Sequence, residues 1–260
     1  MYITVQNEKI FYKKAGAGTR SFVLLHNAGG SHQLFSHQMK TLGRLGTVYA
    51  FDLPGYGQSQ ASQERYTTKE TAALVAEAIK KLQLSQVYLV GLNNGANISI
   101  EISLNKDIPI TQLVLIDPIL FMSKDFITEI EDFITHLEAP DVDVFIDGLI
   151  DAFFIKTSDA NKRIANKAFK QCSKKVAAAA LKDLILWSQE AKSKLLALFV
   201  PTLVVLTNEH HCPYQPLKGL NPLIDLAKVT GSKCWATLEV PEQVNAIIKR
   251  VVELQDKPMG

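Results

Sequence analysis

The histidine and cysteine side chains near the end of the chain are the first candidates for chemistry. His210, His211 and Cys212 are adjacent, and Cys234 follows further along the chain. Imidazole and thiolate are ligands that zinc prefers, but the ion needs several of them around one point. Adjacent residues point apart, and this spacing matches none of the common zinc patterns. A zinc site is therefore the weaker interpretation, and we expect neither a metal nor a cofactor.

The glycine pair Gly29-Gly30 is the second candidate, because glycine-rich loops can hold phosphate groups. No Lys-Ser or Lys-Thr pair follows these glycines, and the glycine spacing of a dinucleotide-binding loop is missing. The sequence therefore predicts no phosphate-binding loop at this point.

Short strand patterns alternate with helical patterns along the part of the chain that would position these residues. The candidate strands are residues 2–6, 9–13, 21–26, 47–51, 86–90, 112–116, 202–206 and 224–229, and the candidate helices are residues 33–42, 69–82 and 96–104. Continuous apolar runs such as FVLL at residues 22–25 are typical of strands buried on both faces of a parallel sheet. The alternation predicts a doubly wound α/β sheet that opens with a short antiparallel pair.

Between residues 118 and 198 the strand signal stops and apolar residues recur at helical spacing, as at Phe126, Ile130 and Phe133. An all-helical insertion late in an α/β sheet is best interpreted as a cap over the carboxyl ends of the strands, where such sheets bind ligands. A helical lobe with no pocket beneath it is the alternative. We therefore predict a core domain of residues 1–117 and 199–260 and a cap of residues 118–198.

Composition and charge narrow the class of protein. The 260 residues include 28 Lys and Arg against 26 Asp and Glu, a net charge of +2. This balance is unlike the basic surface that nucleic acids or anionic membranes attract. No apolar run reaches the ~20 residues that span a bilayer, and the first residues show no signal-peptide pattern. The odd count of three cysteines fits a reducing compartment. We expect a cytoplasmic protein that binds neither nucleic acid nor membrane.

Five segments occur in a fixed order after the predicted strands. They are HNAGGS at 26–31, DLPGYGQS at 52–59, GLNNG at 91–95, PTLVV at 201–205 and WATLEVPE at 235–242. In this order they resemble the α/β-hydrolase superfamily, in particular its small capped members: esterases, C–C bond hydrolases and haloperoxidase-like proteins. The resemblance implies the α/β-hydrolase fold, a mostly parallel sheet of about eight strands flanked by helices, with an all-helical cap inserted after the sixth strand.

The resemblance also implies where a catalytic triad would lie, and all three positions are substituted. The G-x-S-x-G nucleophile elbow carries Asn93 at its apex. The acid position falls on His210, or on Glu209 after a slip of one residue, and the position of the final histidine falls on Cys234. An amide has no proton to lose near neutral pH, so we do not expect conventional serine-hydrolase activity.

Two functions follow from these substitutions. The first is a non-catalytic pseudo-hydrolase that binds a small molecule, or a partner, in the pocket under the cap. The second is a divergent hydrolase or lyase with a rewired site of Cys234, His210 and Asn93. In that site, contact with His210 would lower the pKa of the thiol and make it a nucleophile.

The resemblance further implies an oxyanion hole built from the backbone amides of Ala28 and Asn94. Because backbone donors survive changes of side chain, we expect this pair of donors to persist. Four other residues are expected to contribute to the pocket: His26, Asn27, Phe121 and Trp235. The cap is rich in aromatic residues and shows no arginine cluster, so the sequence predicts an apolar or weakly polar small molecule as the ligand.

Overall fold

The computed structural model describes residues 1–208 and 213–256. Within these ranges the strands are β1 (Tyr2–Val5), β2 (Glu8–Ala15), β3 (Ser21–Leu25), β4 (Thr47–Phe51), β5 (Val87–Leu92), β6 (Ile110–Ile116), β7 (Thr202–Leu206) and β8 (Ile224–Lys228). They form one eight-stranded sheet in the order β1-β2-β4-β3-β5-β6-β7-β8. β2 pairs antiparallel with β1 and β4, and every other pairing is parallel. The predicted mostly parallel sheet with an antiparallel opening is confirmed.

The helices of the same ranges are α1 (Ser36–Leu42), α2 (Thr68–Lys81), α3 (Asn94–Ser103), α4 (Lys124–Leu137), α5 (Val142–Leu149), α6 (Asp159–Gln171), α7 (Lys174–Leu196), α8 (Ala236–Glu239) and α9 (Pro241–Gln255). The predicted helix at residues 33–42 is in fact a 3-10 turn, His32–Phe35, followed by α1. At the start of α2, Thr67 forms a reciprocal capping box with Glu70, which fixes where that helix begins.

The central strands are buried along their whole length. Every residue of β3, β4 and β5 is buried, because the crossover helices cover both faces of the sheet. The edge strand β8 is exposed or half-buried throughout. The carboxyl ends of the buried parallel strands therefore lie at one edge of the sheet. The loops that follow these strands carry the candidate site residues.

Helices α4 to α7 occupy the chain between β6 and β7, inside the range that the sequence assigns to a cap. α7 packs against α4 and also against α2 and α3, so it joins this helical layer to the helices of the sheet. Phe153, just after α5, stacks on Trp235 with ring centroids 5.5 Å apart. The helical layer is thus packed onto the side of the molecule where the strands end.

No helix in the described ranges has the combination of length and apolar character that crossing a membrane would require. The cytoplasmic location stays a prediction.

Candidate functional site

The turn between β5 and α3 carries Asn93 at its apex, with a positive φ of 47°. Two glycines make this sharp turn possible. A Cβ on Gly91 would lie 2.4 Å from the carbonyl oxygen of Gly95, and a Cβ on Gly95 would lie 2.4 Å from the carbonyl oxygen of Leu25. Both contacts are with backbone atoms, so only residues without a side chain fit at these two positions. Asn tolerates a positive φ better than most residues, which suits it to the apex.

The side chain of Asn93 is held by Asp117, the residue that follows β6. Its Nδ2 donates to the carbonyl oxygen of Asp117 at 3.0 Å and to the Oδ2 carboxylate oxygen at 3.1 Å. Because carbonyl and carboxylate oxygens only accept, the orientation of this amide is fixed by chemistry. The opposite end, Oδ1, is buried and has no hydrogen-bond partner among residues 1–208 and 213–256. Asn93 as a whole is only 5% exposed.

One of the two backbone donors predicted for an oxyanion hole, the N–H of Ala28, already has an acceptor, and the role of the pair stays a prediction. The backbone N–H of Ala28 donates to Oδ1 of Asn94, so the side chain of Asn94 covers that donor. Asn94 opens α3 directly after the apex, and its short side chain reaches across to the loop that follows β3. Its own backbone N–H lies in the first turn of the helix, where such groups have no acceptor within the helix.

Cys234 lies between β8 and α8 and is half-buried in the wall of the same cavity as Asn93. Burial raises the pKa of its thiol well above the ordinary value, and the negative charges of Asp117 and Glu239 raise it further, against a smaller opposing effect of Lys233. These surroundings favour the protonated thiol. His210 and Glu209, the two candidates for the acid position, lie outside the described residues.

The metal hypothesis concerns mainly His210, His211 and Cys212, which lie outside the described residues. In the described part of the chain, no three His, Cys, Asp or Glu side chains come together in a way that could hold a metal ion.

A cavity of about 300 Å³ lies between the carboxyl ends of the strands and helices α4 to α7. Its described wall consists of Asn27, Ala28, Asn93, Asn94, Ile119, Phe126, Glu129, Ile130, Phe133, Leu149, Phe153, Phe169, Leu181, Cys234 and Trp235. The wall is mainly apolar, and its polar groups are concentrated on the side of the sheet. This arrangement suits a small apolar ligand with one or two polar atoms.

Of the four other residues predicted for the pocket, Asn27 and Trp235 lie in the wall, and their contact with a ligand stays a prediction. His26 does not lie in the wall, because it is completely buried and braces two loops. Its Nε2 accepts from the N–H of Leu53 at 3.0 Å, and its Nδ1 contacts the carbonyl oxygen of Asn27 at 2.7 Å. Burial lowers the pKa of His26 to about 4, so the ring is neutral.

Phe121 is the second correction to the predicted pocket. The chain turns at this residue, with a φ of 43°, before α4 begins. Phe121 packs against the hydrophobic core and is not part of the described wall. Its neighbour Ile119 lines the cavity in its place, held by two hydrogen bonds between its backbone and the side-chain amide of Asn97.

Several wall residues are missing from the set predicted by sequence. On α4, Phe126 is followed three, four and seven residues later by Glu129, Ile130 and Phe133, a spacing that puts all four on the helix face towards the cavity. The helical period of the apolar residues was a usable signal for three of them, whereas the exposed Glu129 gave none. The hydrogen bond between Ala28 and Asn94 was also missed, because it joins a loop to the start of a helix that is far away in the sequence.

The chain matches one protein family, curated proteins over part of their length, and solved structures over nearly their whole length. Residues 20–145 match the family described as alpha/beta hydrolase fold. The AB hydrolase superfamily protein YisY of Bacillus subtilis is 34% identical over 98 residues, which are 37% of this chain and 36% of that protein. The pimeloyl-[acyl-carrier protein] methyl ester esterase of Hamiltonella defensa is 31% identical over 97 residues, 37% of this chain and 36% of that protein.

Solved structures match over nearly the whole chain. An esterase from Exiguobacterium antarcticum has a TM-score of 0.84 at 21% identity, covering 97% of this chain and 98% of the esterase. At this identity the likeness shows the fold. By contrast, the matches to curated relatives span only about a third of those proteins' own lengths.

Proposed function

The chain is a protein of the α/β-hydrolase fold, and from this premise we propose that it is a pseudo-hydrolase that binds a small molecule without reacting with it. The ligand is apolar or weakly polar and occupies the cavity between the sheet and helices α4 to α7. The observation that carries the proposal is the state of Asn93: the apex of the elbow holds a carboxamide whose nitrogen is already bonded to Asp117.

Acyl transfer needs a nucleophile and a donor for the oxyanion, and both are compromised here. The nitrogen of a carboxamide has a delocalised lone pair and no proton that a base can remove near neutral pH. The N–H of Ala28, which would stabilise an oxyanion, is covered by the side chain of Asn94. A serine-hydrolase reaction at this site would therefore lack both a nucleophile and a complete oxyanion hole.

The rewired alternative, with Cys234 as the nucleophile, requires a thiolate near neutral pH. Burial and the neighbouring carboxylates raise the pKa of Cys234, which works against that requirement. A protonated, half-buried thiol behaves as a small apolar group. The described surroundings therefore favour Cys234 as part of a binding wall.

The proposal is tested by two measurements on the purified chain. With a series of p-nitrophenyl esters of short acyl chains, we expect release of p-nitrophenol at the uncatalysed rate. A thermal-shift screen of neutral apolar compounds should contain ligands that raise the melting temperature. Leu149→Trp, which adds bulk to the half-buried wall, should remove that shift. Ester turnover that is lost on substitution of Asn93 or Cys234 would overturn the proposal, as would a screen in which only charged compounds bind.

A further inference from the structure

The cavity between the sheet and helices α4 to α7 has a largely aromatic wall. Its described residues include Phe126, Phe133, Phe153, Phe169 and Trp235. Four of these rings form a connected group, since Phe133 meets Phe153 and Phe169 edge to face and Phe153 stacks on Trp235. The face of an aromatic ring carries partial negative charge, so a wall of such rings accepts a cationic group better than an anionic one.

Glu129 adds a full negative charge to this wall. The residue lies on α4 between Phe126 and Phe133 and is exposed, so it lies where the cavity opens to solvent. Within residues 1–208 and 213–256 its carboxylate forms no salt bridge, whereas Glu138, just after the same helix, is paired with Lys182. The described wall contains no lysine, arginine or histidine. A cationic group of a ligand can therefore reach Glu129 without displacing a cation of the protein.

The surroundings of Cys234 show that the sheet side of the cavity is negative as well. Burial is the main reason that the pKa of this thiol is raised, and the charges of Asp117 and Glu239 raise it further, against a smaller opposing effect of Lys233. The two carboxylates thus outweigh the ammonium group at a residue that lines the cavity. A negative potential of this kind attracts a cation and repels a carboxylate.

We propose that this cavity binds an apolar molecule that carries one ammonium group, in preference to the alcohol or the carboxylate of the same carbon skeleton. The apolar body lies among the aromatic rings, and the ammonium group lies beside Glu129, at the open side of the cavity. Because water still reaches the cation there, most of the cost of burying a charge is avoided. This inference rests on the proposed binding function and adds one charged group to its ligand, so the neutral alcohols bind too, with lower affinity.

The test compares ligands that differ in one group only. Two skeletons are used, a flat 2-naphthylmethyl group and a flexible n-octyl chain, each as the amine, the alcohol and the carboxylic acid. At pH 7 the amine is an ammonium ion and the acid is a carboxylate. Titration calorimetry measures the dissociation constants for the full chain. We expect the amine to bind roughly three- to fivefold more tightly than the alcohol, as for a partly exposed ion pair, and the carboxylate to bind least tightly.

Two variants of α4 show whether the preference comes from Glu129. Glu129→Gln removes the charge from the wall and keeps the shape of the side chain, so the amine should fall to about the affinity of the alcohol. Glu131→Gln is the matched control, because Glu131 is exposed on the same helix but lies outside the described wall. It should keep most of the preference. Both positions are exposed on a helix, where glutamine is tolerated about as well as glutamate, and melting curves check that both variants are folded.

The outcomes separate the ligand class from the binding function. If the amine binds no more tightly than the alcohol, or if both variants weaken it equally, the ammonium proposal is wrong. Binding of the alcohols that is lost in Leu149→Trp would then still support the cavity as a binding site. If no compound of either skeleton binds, both proposals are overturned. A preference for the amine that is lost in Glu129→Gln and kept in Glu131→Gln supports both.

Discussion

The thiol of Cys234 shows how one residue's surroundings decide its chemistry. Burial first, and then the charges of Asp117 and Glu239, raise the pKa of this thiol. We expect alkylation by iodoacetamide at neutral pH to be at least about a hundredfold slower than that of glutathione, because the thiolate is the reacting form. Mass spectrometry of Cys234-containing peptides measures the rate. The same peptide from protein unfolded in urea should react at the ordinary rate.

A fast reaction of Cys234 at neutral pH in the folded chain would contradict this prediction. It would support the alternative function, in which Cys234 is the nucleophile. Cys172 is the internal comparison, because burial raises the pKa of its thiol to about 11. If Cys234 alone reacts, and if replacing His210 with Ala slows it, then His210 activates the thiol.

His26 couples the loops beside the elbow to pH. Its folded pKa is about 4, lowered by burial from the ordinary 6.5, so the unfolded chain takes up a proton first as the pH falls. The contribution of His26 to stability is therefore complete above the unfolded pKa and is lost as the pH falls from about 6.5 towards 4. We expect a loss of about 2 kcal/mol between pH 7 and pH 5 from this residue.

Urea unfolding at the two pH values checks the His26 prediction. His26→Gln keeps one acceptor and one donor but does not titrate in this range. This variant should have a free energy of unfolding that depends less on pH by about the stated 2 kcal/mol. An equal pH dependence in both proteins would show that other groups control acid stability.

At the scale of the single element, the elbow depends on close backbone approach. Gly95→Ala would place a Cβ 2.4 Å from the carbonyl oxygen of Leu25 and 2.5 Å from that of His26. Since neither oxygen belongs to a flexible side chain, we expect a loss of about 2–4 kcal/mol in the free energy of unfolding. Chemical denaturation measures it, and a stability within 0.5 kcal/mol of the unmodified chain would refute the proposed packing.

Gly148→Ala is the matched control for Gly95→Ala. Gly148 lies inside α5, and a Cβ there would meet no atom within 4 Å. Alanine also restricts the unfolded chain more than glycine does, so we expect this variant to be more stable by about 0.5–1 kcal/mol. The same substitution thus has opposite signs at the two positions.

The elements were more predictable than the site, for a physical reason. The buried strands are continuous apolar runs, and the turn at residues 91–95 has the small residues that its geometry needs, so local sequence was sufficient. The roles of His26 and Asn94 depend on hydrogen bonds to Leu53 and Ala28, which are distant in the chain. Sequence alone identified both residues but did not show which atoms they would contact.

The helical layer was predictable as a class and not in detail. Apolar residues at helical spacing indicated helices between the sixth and seventh strands. Phe121 was predicted as a pocket residue, but it packs against the hydrophobic core and lies outside the described wall. Its positive φ has no sequence signal in a non-glycine residue. The residues that line the cavity instead depend on how α4 packs against α7.

At the scale of the whole molecule, the sheet and the helical layer meet in a group of aromatic rings. Trp235, beside the last helices of the core, contacts Phe153 and Phe169, whose two rings stack 5.8 Å apart. All three residues also line the cavity. A ligand in this cavity therefore contacts both layers. Because it binds only the folded chain, it should stabilise the packing of the helical layer on the sheet.

This arrangement makes Trp235 a built-in reporter of binding. The chain has two tryptophans, and the other, Trp187, lies outside the described wall and donates its indole N–H to Glu101 at 2.6 Å. Trp187→Phe should cost about 1 kcal/mol of stability for the lost hydrogen bond, since Lys194 still pairs with Glu101. In this single-tryptophan variant, titration with a ligand of the cavity should change the fluorescence of Trp235 along the calorimetric binding curve. In Trp235→Phe the remaining Trp187 should give no such change while calorimetry still detects binding. If the fluorescence changes in Trp235→Phe and not in Trp187→Phe, the ligand binds near Trp187, outside the cavity. Binding would then not involve the contact between the sheet and the helical layer.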